Sequence, residues 1–135
     1  MEKKIARRCS RELALKSIFT FLSREKNSEK IFAENLAVAE KNSDEFAEKL
    51  FLTATENLGK IKVVIRAFAP DFLFEKIALI NRSILILGIA EIKFFDTPPA
   101  VVINECVELA KIFGEKKSSG FINGVLDKFQ KSIKK

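Results

Sequence analysis

The chain contains no histidine, tryptophan or tyrosine. Without histidine it lacks the side chain that most often moves protons near neutral pH, and the commonest nitrogen ligand for metals. Its two cysteines, Cys9 and Cys106, lie far apart and match neither a metal-ligand spacing nor a disulfide framework, which implies a reducing compartment. Glycine (5) and proline (3) are too few for an architecture of many short strands and turns, so helices are expected. No apolar run could span a bilayer: uncharged runs such as Ser83 to Ala90 are far too short, and Arg11, Glu12 and Lys16 interrupt any signal-peptide core. These absences predict a cytoplasmic, membrane-free protein and remove most of the usual acid–base and metal-binding chemistry.

What remains is apolar bulk and charge. Of the 135 residues 47% are hydrophobic, with 13 phenylalanines, enough for one domain with its own core. Net charge is +6 and unevenly spread. Residues 1–11 carry +4 and residues 111–135 carry +5, leaving the middle at −3. Two basic ends could form one positive surface if the fold brings them together; otherwise they are two solvated termini.

In chain order, Lys3 to about Arg24 predicts a first helix. At about 100° per residue, Lys3, Lys4, Arg7, Arg8 and Arg11 fall in one arc of roughly 140°, and Ala14, Leu15, Ile18, Phe21 and Leu22 continue it. The face thus turns from a cationic ridge to an apolar stripe. Ile5, Cys9 and Leu13 on the opposite side are expected to hold the first turns against the domain, with Cys9 and Cys106 as small core residues. Asn27 or Ser28 can cap a second helix, and Ser43 opens a third that Gly59 stops. Lys60 to Phe68 is a shorter piece. The corner Ala69-Pro70-Asp71 divides an N-terminal lobe, about 1–69, from a C-terminal lobe, about 70–135. A short turn over Phe72 to Lys76 leads into Ala78 to Phe95, apolar around its whole circumference and so expected in the middle of the fold. Gly88 within it suggests a close backbone approach, with the pair Gly120 and Gly124 as neighbours.

Pro98 to Leu126 is the most sharply punctuated stretch. Two prolines open a helix, and Gly114 is expected to close it in the left-handed conformation. The loop Glu115-Lys116-Lys117 follows, and Ser118 or Ser119 can cap a last helix carrying Phe121, Ile122, Val125, Leu126 and Phe129. Asn104 and Asn123, poor helix formers, are expected to make hydrogen bonds between helices. Glu105, Glu108 and Lys111 read as an exposed ion-pairing stripe. Phe121, by its spacing to Val125 and Phe129, suits a core residue.

Val102 to Gly114 (V-I-N-E-C-V-E-L-A-K-I-F-G) and Phe121 to Asp127 (F-I-N-G-V-L-D) resemble the paired signatures of the NusB family, V-A-I-N-E-A-V-E-L-A-K-x-F-G and F-V-N-G-V-L-D. Arg7-Arg8 with Arg11 to Leu15 resembles the family's arginine-rich first helix, and Arg82 to Leu85 with Ala90 to Ile92 its central helix. The resemblance covers essentially the whole chain. It implies an all-α fold of about seven helices in two subdomains. The implied role is transcription antitermination without catalysis: binding boxA-type single-stranded RNA with the ribosomal protein NusE and loading it onto the transcribing RNA polymerase complex.

Carried over by position, the resemblance puts RNA contacts on Lys3, Lys4, Arg7, Arg8, Arg11, Lys116, Lys117, Ser118 and Phe121, and partner contacts on Phe19, Glu75 and Asn81. Three positions depart from the family: Lys117 and Asn81, where acidic residues are usual, and Ile86, where a basic one is. Two other readings stand beside this one: a protein-interaction module without specific RNA binding, and a helical domain like that preceding the catalytic domain of some ribosomal-RNA cytosine methyltransferases, although nothing here resembles a cofactor-binding sheet. A partly apolar surface also permits a homodimer.

Overall fold

The computed structural model describes residues 2–24, 27–69 and 73–133, with side chains from residue 5 onward. Among these, the chain forms seven α-helices and one 3₁₀ turn, and no strand. The helices are α1 (Glu2–Arg24), α2 (Ser28–Val38), α3 (Glu45–Glu56), α4 (Leu58–Phe68), α5 (Leu79–Phe94), α6 (Pro99–Phe113) and α7 (Ser118–Ile133), with the 3₁₀ turn Phe74–Lys76 leading into α5.

The central position of α5 follows from its apolar circumference. Every residue from Ser83 to Ile92 is buried, and the helix packs against α1, α3 and α4 as well as α6 and α7. Burying each Leu or Ile side chain contributes about 1.5–3 kcal/mol. The two polar side chains in that stretch both have partners: Ser83 donates to the Leu79 carbonyl at 2.9 Å, and Glu91 accepts from Arg11. Ile86 is also buried, so this departure from the family alters core packing and not a surface. Gly88 does mark a close approach, but to Leu126 and Cys106; Gly120 and Gly124 face open space. Cys106 is buried as expected.

The later half of α1 buries Ala14, Leu15 and Ile18, as the apolar stripe predicts, and Leu13 from the opposite side. Its first turns differ from expectation, because Ile5 and Cys9 are exposed. Those turns are held instead from the polar side. The Ser10 hydroxyl donates to Asp44, at 2.8 Å from Oδ2, and Arg8 and Arg11 reach carboxylates on other helices.

Asn27 caps α2, accepting from the Lys30 N–H. Asp44, not Ser43, caps α3 through the Ala47 N–H, and the break before α4 falls at Asn57, leaving Gly59 inside the first turn of α4. The proposed lobe corner at Ala69-Pro70-Asp71 lies largely outside the described residues. Pro98 and Pro99 open α6 as expected. Gly114 closes it in an extended conformation (φ −95°), so the left-handed expectation is corrected. The glycine is required by space: a Cβ there would lie 2.7 Å from the Ser118 side chain and 2.8 Å from the Ala110 carbonyl oxygen.

Gly114→Ala is therefore expected to destabilise the fold by about 1–3 kcal/mol. Gly124→Ala, with open space for its methyl group, should be neutral or stabilising by up to about 1 kcal/mol. Urea unfolding of both variants checks the ordering. Asp44 supplies a second expectation. Burial raises its carboxyl pKa, but the Lys41 ammonium, the Ala47 N–H and the Ser10 hydroxyl together outweigh that and hold it below the usual range. A depressed folded-state pKa contributes stability that is complete above the unfolded value, about pH 4, and is lost as pH falls through the lower folded value. Asp44→Asn should flatten the acid limb of a stability–pH curve below about pH 4.

Candidate nucleic-acid interface

Arg7, Arg8 and Arg11, the arginines of the first half of α1, have three different environments. Arg11 is buried, and its Nε and Nη2 donate to the two carboxylate oxygens of Glu91 at 2.8 and 2.7 Å. Burial works against the Arg11 charge, but the Glu91 carboxylate outweighs it and raises the pKa further. Arg11 is therefore corrected from surface contact to internal tie between α1 and α5. Arg8 lies near the surface, with Nε 3.0 Å from Glu105 on α6 and about half its side chain in solvent. Arg7 is exposed, its guanidinium 3.9 Å above the Phe46 ring centroid. Stacking there fixes the charge in place and leaves its outer face open. The side chains of Lys3 and Lys4 lie outside the described residues.

Glu105 thus leaves the expected exposed stripe and is buried against Arg8, while Glu108 and Lys111 do pair, at 3.3 Å. Arg7 and Arg11 line one side of a groove of about 1130 Å³ with Phe46, Lys49, Phe95 and Val101. Asn104 and Asn123 make no hydrogen bond between helices. Both are exposed along a second groove between α6 and α7.

The loop between α6 and α7 exposes Lys116 and Lys117. Ser118 is buried, and its hydroxyl accepts from the Glu115 N–H at 2.9 Å while its own N–H donates to the Glu115 carbonyl at 2.9 Å. These reciprocal bonds tighten the loop and correct Ser118 from a direct contact to a residue that positions its neighbours. Phe121 is half-buried against the core and lines a small groove with Lys76, Asn81 and Lys117.

The positions expected to face a protein partner divide. Phe19 is exposed and lines an apolar groove of about 620 Å³ with Lys16, Ile80 and Phe113. Glu75 is exposed on the 3₁₀ turn. Asn81 falls on the Phe121 side, so consecutive residues of α5, Ile80 and Asn81, belong to two different grooves. Ile80, Phe113 and Lys76 were missed by sequence reasoning. The spacing of Phe113 from Val102, Cys106 and Leu109 suits a buried helix face, yet Ile112 and Phe113 at the end of α6 are both exposed.

The loop lysines and the arginines of α1 do not share a groove. Arg8 meets Glu105, and eight residues further along both helices Lys16 reaches Phe113, whose ring lies 5.9 Å away. Eight residues of helix are about 12 Å. Only an extended ligand can touch both basic sites. Among the described residues no cluster of His, Cys, Asp or Glu could hold a metal, and no helix is long and apolar enough to cross a membrane. Burial first, then Glu91, pushes the Cys106 thiol well up, so it stays protonated and inert.

The model of the NusB family matches residues 8–131. Transcription antitermination protein NusB of Natranaerobius thermophilus is 34% identical over 97% of this chain and 99% of the relative. Its counterpart from Nitratiruptor sp. is 42% identical over 78% of each chain. Among solved structures, a chain in a crystal structure of antitermination factors NusB and NusE in complex with dsRNA superposes with a TM-score of 0.87 at 26% identity, over 94% of this chain and 97% of that one.

Breaking the internal tie has a definite expected outcome. Glu91→Gln leaves the buried Arg11 guanidinium without its hydrogen-bonded countercharge and should cost about 3–5 kcal/mol. The double variant Arg11→Met, Glu91→Leu should lose less than that single change. Thermal and urea unfolding of the cycle measure the difference.

Proposed function

The chain belongs to the NusB family, and from that membership we propose that it is an RNA-binding transcription antitermination factor that works with the ribosomal protein NusE. In this reading it binds boxA-type RNA and delivers it to the transcribing RNA polymerase complex in the cytoplasm, by binding and not by catalysis. The observation that carries it is the set of cations left on the surface once the internal pairs are subtracted. Arg7 and the outer half of Arg8 stand on α1, and Lys116 and Lys117 on the α6–α7 loop, with Phe121 beside them. The groove holding Phe19 lies next to this set and takes NusE.

In this reading α5 is the shared wall between a first lobe, residues 1–69, and a second, residues 70–135. The solved relative holds double-stranded RNA. The ligand assigned here is a single strand, as the resemblance to the family implies. Lys117, where the family usually has an acid, adds charge at the groove beside Phe121 and strengthens the backbone contribution to affinity.

Titration of a short boxA-like RNA should show binding that tightens when NusE is added, with log affinity falling by about 0.7 per log unit of salt for each phosphate neutralised. Arg7→Glu should weaken RNA binding about tenfold or more, about 1.4 kcal/mol, and leave affinity for NusE unchanged. Equal binding of a scrambled sequence, with and without NusE, would contradict the specific reading. Undiminished partner binding with no RNA affinity would leave a protein-interaction module.

A further inference from the structure

Two exposed cations on different helices share one aromatic support and have no internal countercharge. Lys49 follows Glu45 by four residues on α3, the order and spacing that favour an ion pair along a helix. It makes no such pair; its ammonium lies 5.4 Å from the centroid of the Phe95 ring. Arg7 on α1 stands 3.9 Å from the Phe46 centroid. The two rings meet edge to face with centroids 5.6 Å apart. Among the described residues neither cation has a carboxylate within ion-pair distance. All four side chains line the groove of about 1130 Å³ between α1, α3 and the start of α6. Of the other charged groups there, Arg11 is taken by Glu91 and Glu105 by Arg8, which leaves Asp96 as the remaining acid against two cations.

We propose that this groove carries the RNA onward from α1 to α3: nucleotides flanking the boxA-type element lie along it, and Lys49 contacts their phosphates. The inference rests on the RNA-binding function above and extends it to α3, a helix with no other part in ligand binding. A cation held on a ring keeps its charge available and has less freedom to lose when a phosphate arrives. Arg7 belongs both to the basic surface of α1 and to this groove, so a strand leaving the first meets the second. The apolar wall of Phe46, Phe95 and Val101 suits bases without selecting among them. Beyond Lys49, the carboxylates Glu45, Glu48 and Glu56 line the outer face of α3 and set the limit of the path. The flank therefore adds affinity whatever its sequence.

The test uses the full chain bound to NusE and three RNAs: a short boxA-like core, and the same core carrying about six uridines on its 5′ or its 3′ side. One extension should tighten binding about fivefold or more at low salt, and should steepen the fall of log affinity with log salt by about 0.7 for each added phosphate contact. Lys49→Met keeps the aliphatic stem and removes the charge. It should abolish most of that gain, with affinity for the core RNA and for NusE at the wild-type level. Lys60→Met, at an exposed position of α4 outside the groove, should keep the gain. Extensions that add nothing to wild-type affinity would overturn the assignment, as would a full gain in Lys49→Met or equal losses in the two variants. Lys49-dependent binding of a polyglutamate peptide, with no gain from either extension, would make the groove a protein-docking site instead. Failure of the core RNA itself to bind would sink the RNA-binding function, and this extension with it.

Discussion

Two carboxylate oxygens of Glu91, deep in the fold, take two N–H bonds from Arg11, and the placement of Arg7 and Arg8 on the first helix follows from that pair. Burying an ion pair is expensive, and the attraction offsets the desolvation only when the geometry is good and the remaining hydrogen-bonding capacity is met. A bidentate guanidinium–carboxylate contact at 2.7–2.8 Å satisfies that condition. Once Arg11 is fixed on α5, helical geometry leaves no freedom for its neighbours. Arg8, one turn earlier, reaches Glu105 on α6, and Arg7, about 100° round the helix from Arg8, stacks on Phe46 at the edge of α3. The internal charge pair thus orients the external charges.

This explains why the first helix was only half legible in the sequence. Spacing places Arg7, Arg8 and Arg11 in one arc and cannot say which of them is buried. A signal was present elsewhere, in Glu91, the single carboxylate between Ala78 and Phe95 in a segment apolar all round. A carboxylate there demands a buried cation, and Arg11, last in the basic series and nearest the apolar half of α1, was the candidate to test. Glu105 misled in the opposite way. Its spacing to Glu108 and Lys111 suits an exposed stripe, and only the approach of α1 buries it.

The helices were far more legible than their punctuation. Period and apolar stripe located all seven, including the fully buried α5, because those signals accumulate over many residues. Caps and glycines depend on one residue each. Asp44 competed with Ser43 one position away, and Gly114 was read through its backbone freedom when the decisive fact was the Ser118 side chain packed against it. Asn104 and Asn123 looked like buried ties and instead face an open groove along α6 and α7, which a helical wheel does not reveal. For the candidate site, the loop lysines and Phe121 were legible as a cluster. Its division from the Phe19 groove by the first turn of α5 was not, because that depends on which way consecutive side chains at Ile80 and Asn81 turn.

The account's central claim is that RNA runs along the surface defined by the outer arginines of α1 and the α6–α7 loop. Photochemical cross-linking of a thiouridine-substituted boxA-like RNA to the complex of this chain with NusE, followed by peptide mapping, tests it most directly. Cross-links should fall on the first turns of α1 and on the peptides spanning 76–81 and 115–121. Cross-links confined to the outer faces of α2, α3 and α4, with those segments unmarked, would contradict it.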